Sequence, residues 1–195
     1  MNNYVYTIGN KIYINLTNRC SNNCDFCIRK GRDGMQNQRL WIDTEPDVQD
    51  ILDQLPDNLD DYDDEIVFCG FGEPTYNLDT LDEVASYLHC IDKKTRINTN
   101  GQANLINKRD VTPELGGIID AVSISLNAEN AQKYQQVCAS EFGEAAYDGL
   151  LEFARLAKEY VPEVVFSVVD VMSKEEIEAC RKIAADCGVS FRVRE

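Results

Sequence analysis

The sequence holds one histidine, His89, and only 19 lysines and arginines against 34 aspartates and glutamates, a net charge of −15 over 195 residues. So acidic a chain has little with which to neutralise phosphate backbones or anionic membranes. Broad nucleic-acid or membrane-surface binding is excluded unless a local basic patch overrides the total. No apolar run approaches the ~18 residues of a membrane span, and Met1-Asn2-Asn3-Tyr4 lacks the basic and apolar regions of a signal peptide. A cytoplasmic location is therefore expected, where thiols stay reduced. Internal repeats, Gly/Ser linkers and low-complexity tracts are also absent. The one biased stretch, Asp57 to Glu65, lacks the spaced ligands and central glycine of a calcium loop and reads as solvated.

Hydrophobic residues make up 44%, enough for a single domain over 1–195 to bury a core without disulfide staples. Eight cysteines are many for a reducing compartment, which points to metal ligands, reactive thiols or core filler.

Strand and helix patterns alternate. Tyr4, Tyr6 and Ile8, then a Gly9-Asn10 turn, then Ile12, Ile14 and Leu16 predict a hairpin. A helix is expected after Thr44-Glu45-Pro46-Asp47, with Thr44 as its cap. Further helices are expected over 78–90, 130–138, 144–160 and 174–187, the last opened by a Ser173/Glu176 capping box and closed by Gly188. Strands are expected over 65–69, 95–98, 120–126, 163–170 and 189–194. The rhythm implies an α/β fold of parallel units, and the length falls short of the ~250 residues of a full eight-unit barrel. The expectation is an open six-unit (β/α)6 partial TIM barrel preceded by a short N-terminal hairpin. Its chemistry would sit on loops at the C-terminal ends of the strands.

Cys20, Cys24 and Cys27 lie in the first such loop, spaced C-x3-C-x2-C. Three thiolates so close can surround one metal centre, and on a four-iron cluster they leave one iron open to a small molecule. The structural alternative is a zinc loop completed by Cys69, Cys90 or His89, in a non-catalytic interaction module. A fully ligated electron carrier would need a fourth cysteine nearby. After the second parallel strand comes Cys69-Gly70-Phe71-Gly72-Glu73-Pro74-Thr75, whose glycines allow close backbone approach to a ligand and whose Glu73 offers a carboxylate to a cation. Asn98-Thr99-Asn100-Gly101 follows the third strand and reads either as a ligand contact or as a plain turn. Ser125 and Asn127 share one side of the fourth strand's end, where Asn127 could equally cap the next helix. Val169 and Asp170 end the fifth. Cys90, Cys138, Cys180 and Cys187 read as small buried hydrophobes, and His89 as packing or surface.

The triplet with Phe26 before its third cysteine, followed one strand later by Gly-Phe-Gly-Glu-Pro, resembles the radical S-adenosylmethionine (radical SAM) superfamily. The resemblance implies an enzyme in which Cys20, Cys24 and Cys27 hold a 4Fe-4S cluster. S-Adenosylmethionine would be cleaved to a 5′-deoxyadenosyl radical that abstracts hydrogen from an unidentified small-molecule, peptide or protein substrate. It implies cofactor contacts at Phe26, Gly70, Phe71, Gly72, Glu73 (to the methionine ammonium), Asn100, Ser125, Asn127 and Val169. A one-electron donor such as flavodoxin or ferredoxin is implied as partner. Glycyl-radical activases and deazapurine synthases of this superfamily are similar in size. Gly-Phe-Gly-Glu-Pro-Thr, Ser-Ile-Ser-Leu-Asn-Ala and the ending Phe191 to Glu195 resemble the small TatD-associated (TatD-linked) radical SAM proteins, which implies a link to a TatD-type hydrolase. The ligand of the methionine carboxylate stays open among Arg19, Arg29, Lys30 and Arg96.

Overall fold

The computed structural model describes residues 2–170 and 172–194; Met1, Val171 and Glu195 lie outside the described residues. Strand β1 (Val5–Ile8) turns at Gly9, which takes a positive φ of 59°, into the antiparallel β2 (Lys11–Ile14). A small ribbon follows, β3 (Gly34–Met35) with β4 (Gln38–Arg39). Then come α1 (Val48–Leu52), β5 (Glu65–Phe68), α2 (Leu78–Cys90), β6 (Lys94–Thr99) and α3 (Ala103–Asn107). The rest is β7 (Ala121–Ser125), α4 (Ala131–Cys138), α5 (Ala145–Ala157), β8 (Glu163–Val169), α6 (Lys174–Cys187) and β9 (Ser190–Arg194). The main sheet is ordered β1-β2-β5-β6-β7-β8-β9, and every neighbouring pair from β2 onward is parallel. No helix among the described residues is long and apolar enough to cross a membrane.

The period of two along each strand divides the sheet into two unlike faces. Ile12, Ile14, Ile66, Phe68, Ile97, Val122, Ile124, Phe166 and Val168 are buried in the main core. There they meet the helical stripes Leu81, Val84, Ala85 and Leu88 of α2, and Leu150, Phe153, Ala154 and Ala157 of α5. The alternate positions, among them Tyr13, Val67, Arg96, Asn98, Ser125 and Arg194, line cavities on the other face. A strand buried on both faces would be apolar throughout; here the second face is mixed, with Val67, Val165 and Val169 among the polar residues.

Two expectations need correction. Thr44 does not cap α1: Asp47 does, its side chain accepting from Asp50 N–H while Asp50 accepts from Asp47 N–H. Pro46 keeps the preceding residue extended, so the helix starts after it. The side chain of Thr44 instead meets Tyr4 Oη at 3.1 Å. The second concerns the elements that periodicity did not reveal, the β3–β4 ribbon and α3, which are too short to show a period. The acidic 57–65 stretch is largely exposed, including its one 3-10 turn (Leu59–Asp61), where Asp60 accepts from Lys93 Nζ at 2.8 Å.

Ser173 forms the expected capping box with Glu176, and Gly188 closes α6 in the left-handed region. Ser173→Ala should lower unfolding stability by ~1 kcal/mol, read from urea melts. Asp82 on α2 has a buried, unpartnered Oδ1, and burial followed by repulsion from Asp79 pushes its carboxyl up to about 6. The folded state therefore binds the extra proton, and stability falls as pH rises from about 4 to about 6. Asp82→Asn should be more stable than the parent at pH 7, with the gain vanishing below pH 4; equal melts at pH 7 would contradict this.

Candidate active site

The cysteine loop leaves the end of β2 and hangs on the last turn of α4. Asn23 N–H donates to Cys138 O at 2.9 Å and Asp25 N–H to Val137 O at 3.0 Å, using carbonyls that a helix end leaves free. Asn22 is buried, donating to Tyr134 Oη and accepting from Gln102 Nε2 at 2.8 Å. Arg29 braces the loop by donating to Asn22 O at 3.0 Å. Cys20, Cys24 and Cys27 all line one cavity of about 260 Å³. Burial pushes the Cys20 thiol up to about 12. Contact with the Cys138 thiol, then burial, raises Cys24. Among the described residues, no three cysteine, histidine or carboxylate side chains stand assembled as a metal group.

The loop after β5 forms the next wall. Glu73 is 3% exposed and caps the following 3-10 turn. Its Oε1 accepts from Thr99 Oγ1 at 2.7 Å, Thr75 Oγ1 at 2.9 Å and Thr75 N–H, while Oε2 accepts from Asn100 N–H at 2.7 Å. Burial raises its carboxyl and these hydrogen bonds oppose the rise. The expected reason for the glycines needs correcting. A Cβ on Gly72 would sit 2.2 Å from Thr17 O and one on Gly70 1.9 Å from Asn15 Oδ1. The close approach is to the chain's own β2 loop, although both glycines also line the cavity. Phe71 lines it too, buried edge-on to Trp41 with Tyr6 and Leu40 beneath.

Asn100 is more than a turn residue. Its Nδ2 donates to Ser21 Oγ at 2.8 Å, tying the end of β6 to the cysteine loop, and Gly101 follows at φ +78°. Asn127 is not the cap of α4, a role taken by Asn130; it stands at φ +54° and lines the cavity with Ser125 and Val169. Phe26 lies at the mouth, 37% exposed. Asn98 and Thr99, named only as part of the Asn98–Gly101 turn, and Arg194, given no role at the site, also line the cavity. Alternation along β6 and β9 was the available signal for Asn98 and Arg194. Cys138 was passed over as well, since nothing local brings it to Cys24. Cys69 lines the cavity with its thiol raised by burial. His89 and Cys90 sit where α2 leads into the start of β6, at the opposite end of the sheet. Of the four cations considered for the carboxylate, Arg19 pairs with Glu45 at 2.7 Å, Arg96 with Glu65 at 2.7 Å and Lys30 with Asp25 at 3.7 Å.

A model of the radical SAM superfamily matches residues 14–187. The chain belongs to the radical SAM superfamily. Solved structures of similar fold include TYW1 with a lysine-pyruvate adduct bound, at TM-score 0.63 and 16% identity, covering 95% of this chain and 65% of that one. SuiB of Streptococcus suis bound to the precursor peptide SuiA gives TM-score 0.68 and 20% identity, covering 93% of this chain and 38% of that one. A radical SAM methyltransferase from Sphaerobacter thermophilus gives 0.67 and 16%, covering 97% and 57%. This radical SAM chain therefore spans less than two thirds of each neighbour's length. No curated protein matches its sequence significantly.

Membership implies a 4Fe-4S cluster and binding of S-adenosylmethionine. The donor set fits: Cys20, Cys24 and Cys27, three thiols of one short loop, line a common cavity. Glu73→Ala would leave Thr99 Oγ1 and the buried Asn100 N–H without their acceptor, at a cost of ~2–5 kcal/mol in denaturant melts of the cluster-free protein. An unchanged melt would show that this carboxylate does not hold the loops together.

Proposed function

We propose that the chain is a radical SAM enzyme acting on an as yet unidentified substrate, and that Cys20, Cys24 and Cys27 are the cluster ligands. The observation that carries this reading is the single cavity shared by the three thiols, Glu73, Asn100, Ser125, Asn127 and Val169, in a chain of this superfamily. When bound, the cluster and S-adenosylmethionine supply a 5′-deoxyadenosyl radical that removes a hydrogen atom from substrate. The protein's own part is to bind, orient and exclude water.

Glu73 Oε2 takes one internal donor and has capacity for another, so it accepts from the methionine ammonium. Ser125 and Asn127 offer hydroxyl and amide groups to the ribose, and Val169 an apolar surface to adenine. Gly70, Phe71 and Gly72 form the wall behind the methionine chain, with Phe26 over the mouth. Asn100 holds Ser21 and with it the first cysteine's backbone. The exposed side of the cysteine loop is where a flavodoxin or ferredoxin would dock.

On this reading the fold is an open six-unit partial barrel and 1–195 one radical SAM core domain, in the cytoplasm. The Gly-Phe-Gly-Glu-Pro-Thr, Ser-Ile-Ser-Leu-Asn-Ala and C-terminal stretches support a place among the TatD-associated members and a functional link to a TatD-type hydrolase. Glu195 of that last stretch lies outside the described residues.

Anaerobic reconstitution with iron and sulfide, then dithionite and S-adenosylmethionine, should release 5′-deoxyadenosine. Cys24→Ala should abolish the release and bleach the cluster absorbance. Uptake of one zinc by a colourless protein that releases no 5′-deoxyadenosine would replace this reading with a structural cysteine loop.

A further inference from the structure

Next to the candidate cofactor cavity, on the same face of the sheet, lies a second cavity of about 110 Å³. Its polar walls are Lys11 and Tyr13 on β2, Glu65 on β5, Arg96 and Asn98 on β6, and Arg192 on β9. Asn98 lines both cavities. We infer that the second cavity holds the anionic group, a carboxylate or a phosphate, of a small-molecule substrate whose remainder passes Asn98 toward the cysteine loop. The substrate role rests on the radical reading of the first cavity.

The chain's own carboxylates satisfy these charges only in part. Arg96 gives Nη2 to Glu65 at 2.7 Å, but its Nη1 is buried with no partner. Arg192 is exposed toward the opening and donates to Ser123 Oγ at 3.1 Å. Arg194, two residues on and thus on the same side of β9, reaches Ser125 Oγ and Asn127 Oδ1, and its buried Nε has no partner. Among the described residues, no carboxylate lies within ion-pair distance of either arginine. Burial makes the charged form of Arg194 less favourable, opposed by Cys69 and aided by the nearby Arg192. Lys11 adds a third cation to the wall of this cavity, shared at 3.6 Å with Asp63.

In a chain of net charge −15, three cations (Lys11, Arg96 and Arg192) against the one carboxylate Glu65 on the cavity wall, with Arg194 adjoining from the first cavity, are a local reversal of sign. Within low-dielectric walls such a reversal concentrates anions. Guanidinium forks pair with planar carboxylates and with phosphates through two N–H groups, which fits the donors left open here. The orphan Asn98 Oδ1 between the cavities then accepts from an N–H or O–H of the same molecule.

Isothermal titration of the full reduced chain tests this, with sodium malonate in one arm and inorganic phosphate in the other, at constant ionic strength. Saturable binding is expected in at least one arm, and the arm that binds identifies the anion. Arg192→Met should weaken it about tenfold, since a charge-assisted pair is lost. Lys182→Met, on the far side of α6, should bind like the parent. In anion-free buffer Arg192→Met should melt no lower than the parent, because one of two adjacent like charges is gone. Arg192→Lys, which keeps the charge and loses the fork, should bind with intermediate affinity. Absence of saturable binding in both arms, or equal affinity in the parent and Arg192→Met, would overturn the site. The titration uses neither cluster nor S-adenosylmethionine. Its failure therefore leaves the radical reading standing, and a chain that binds anions yet releases no 5′-deoxyadenosine removes that reading alone.

Discussion

One buried carboxylate holds the candidate site together. Glu73 collects donors from its own turn and from the end of β6, so the loops after two neighbouring strands share one acceptor. Its own N–H donates to Arg19 O at 2.7 Å, which adds the loop after β2. From Asn100 the chain of hydrogen bonds continues to Ser21, between the first two cysteines. A buried carboxylate is costly unless hydrogen-bonded, and here four donors offset that cost. Any movement of one loop would leave buried donors unpaired in the others, so the three loops keep a fixed relation. The same carboxylate faces the cavity, so loop scaffold and candidate ligand contact are one group.

The second constraint is the unequal treatment of the two sheet faces. Helices cover one face with a continuous apolar core, and that core fixes strand order and register. The other face is not filled with bulky aliphatic layers. It carries tyrosine, asparagine, serine and arginine, and its cavities follow from side chains too polar to pack together dry. Near β1 this face is closed by Tyr6, Leu40, Phe71 and Trp41, which bring the loop leading to α1 over the β5 loop. Stability and chemistry are thus assigned to opposite sides of the same strands. Most acidic residues lie on exterior stretches such as 57–64, while Arg96, Arg192 and Arg194 line the cavity face, where Glu65 pairs with Arg96.

Much of this was legible in the chain itself because it depends on short-range periodicity. The stripe Leu81, Val84, Ala85 and Leu88, the Ser173 capping box, the Gly188 stop and the strand rhythm are local patterns with a local cause. The cysteine spacing and the Gly-Phe-Gly-Glu-Pro loop were equally visible, and with them the superfamily. What spacing could not carry is proximity between distant segments. Cys138 against Cys24, Arg194 beside Asn127, and Asn100 across to Ser21 are separated by 67 residues or more, or by a helix whose placement depends on packing. Thr44 lost its expected capping role to Asp47 because a proline between them set the backbone. The two glycines were recognised as close-approach positions, but only the fold showed that what approaches is the chain's own carbonyl and asparagine side chain. Local sequence therefore determined the longer elements, though not the β3–β4 ribbon or α3, together with the superfamily and the candidate ligands. The tertiary structure decided which polar side chains share a cavity, because parallel pairing sets strand ends from across the chain side by side.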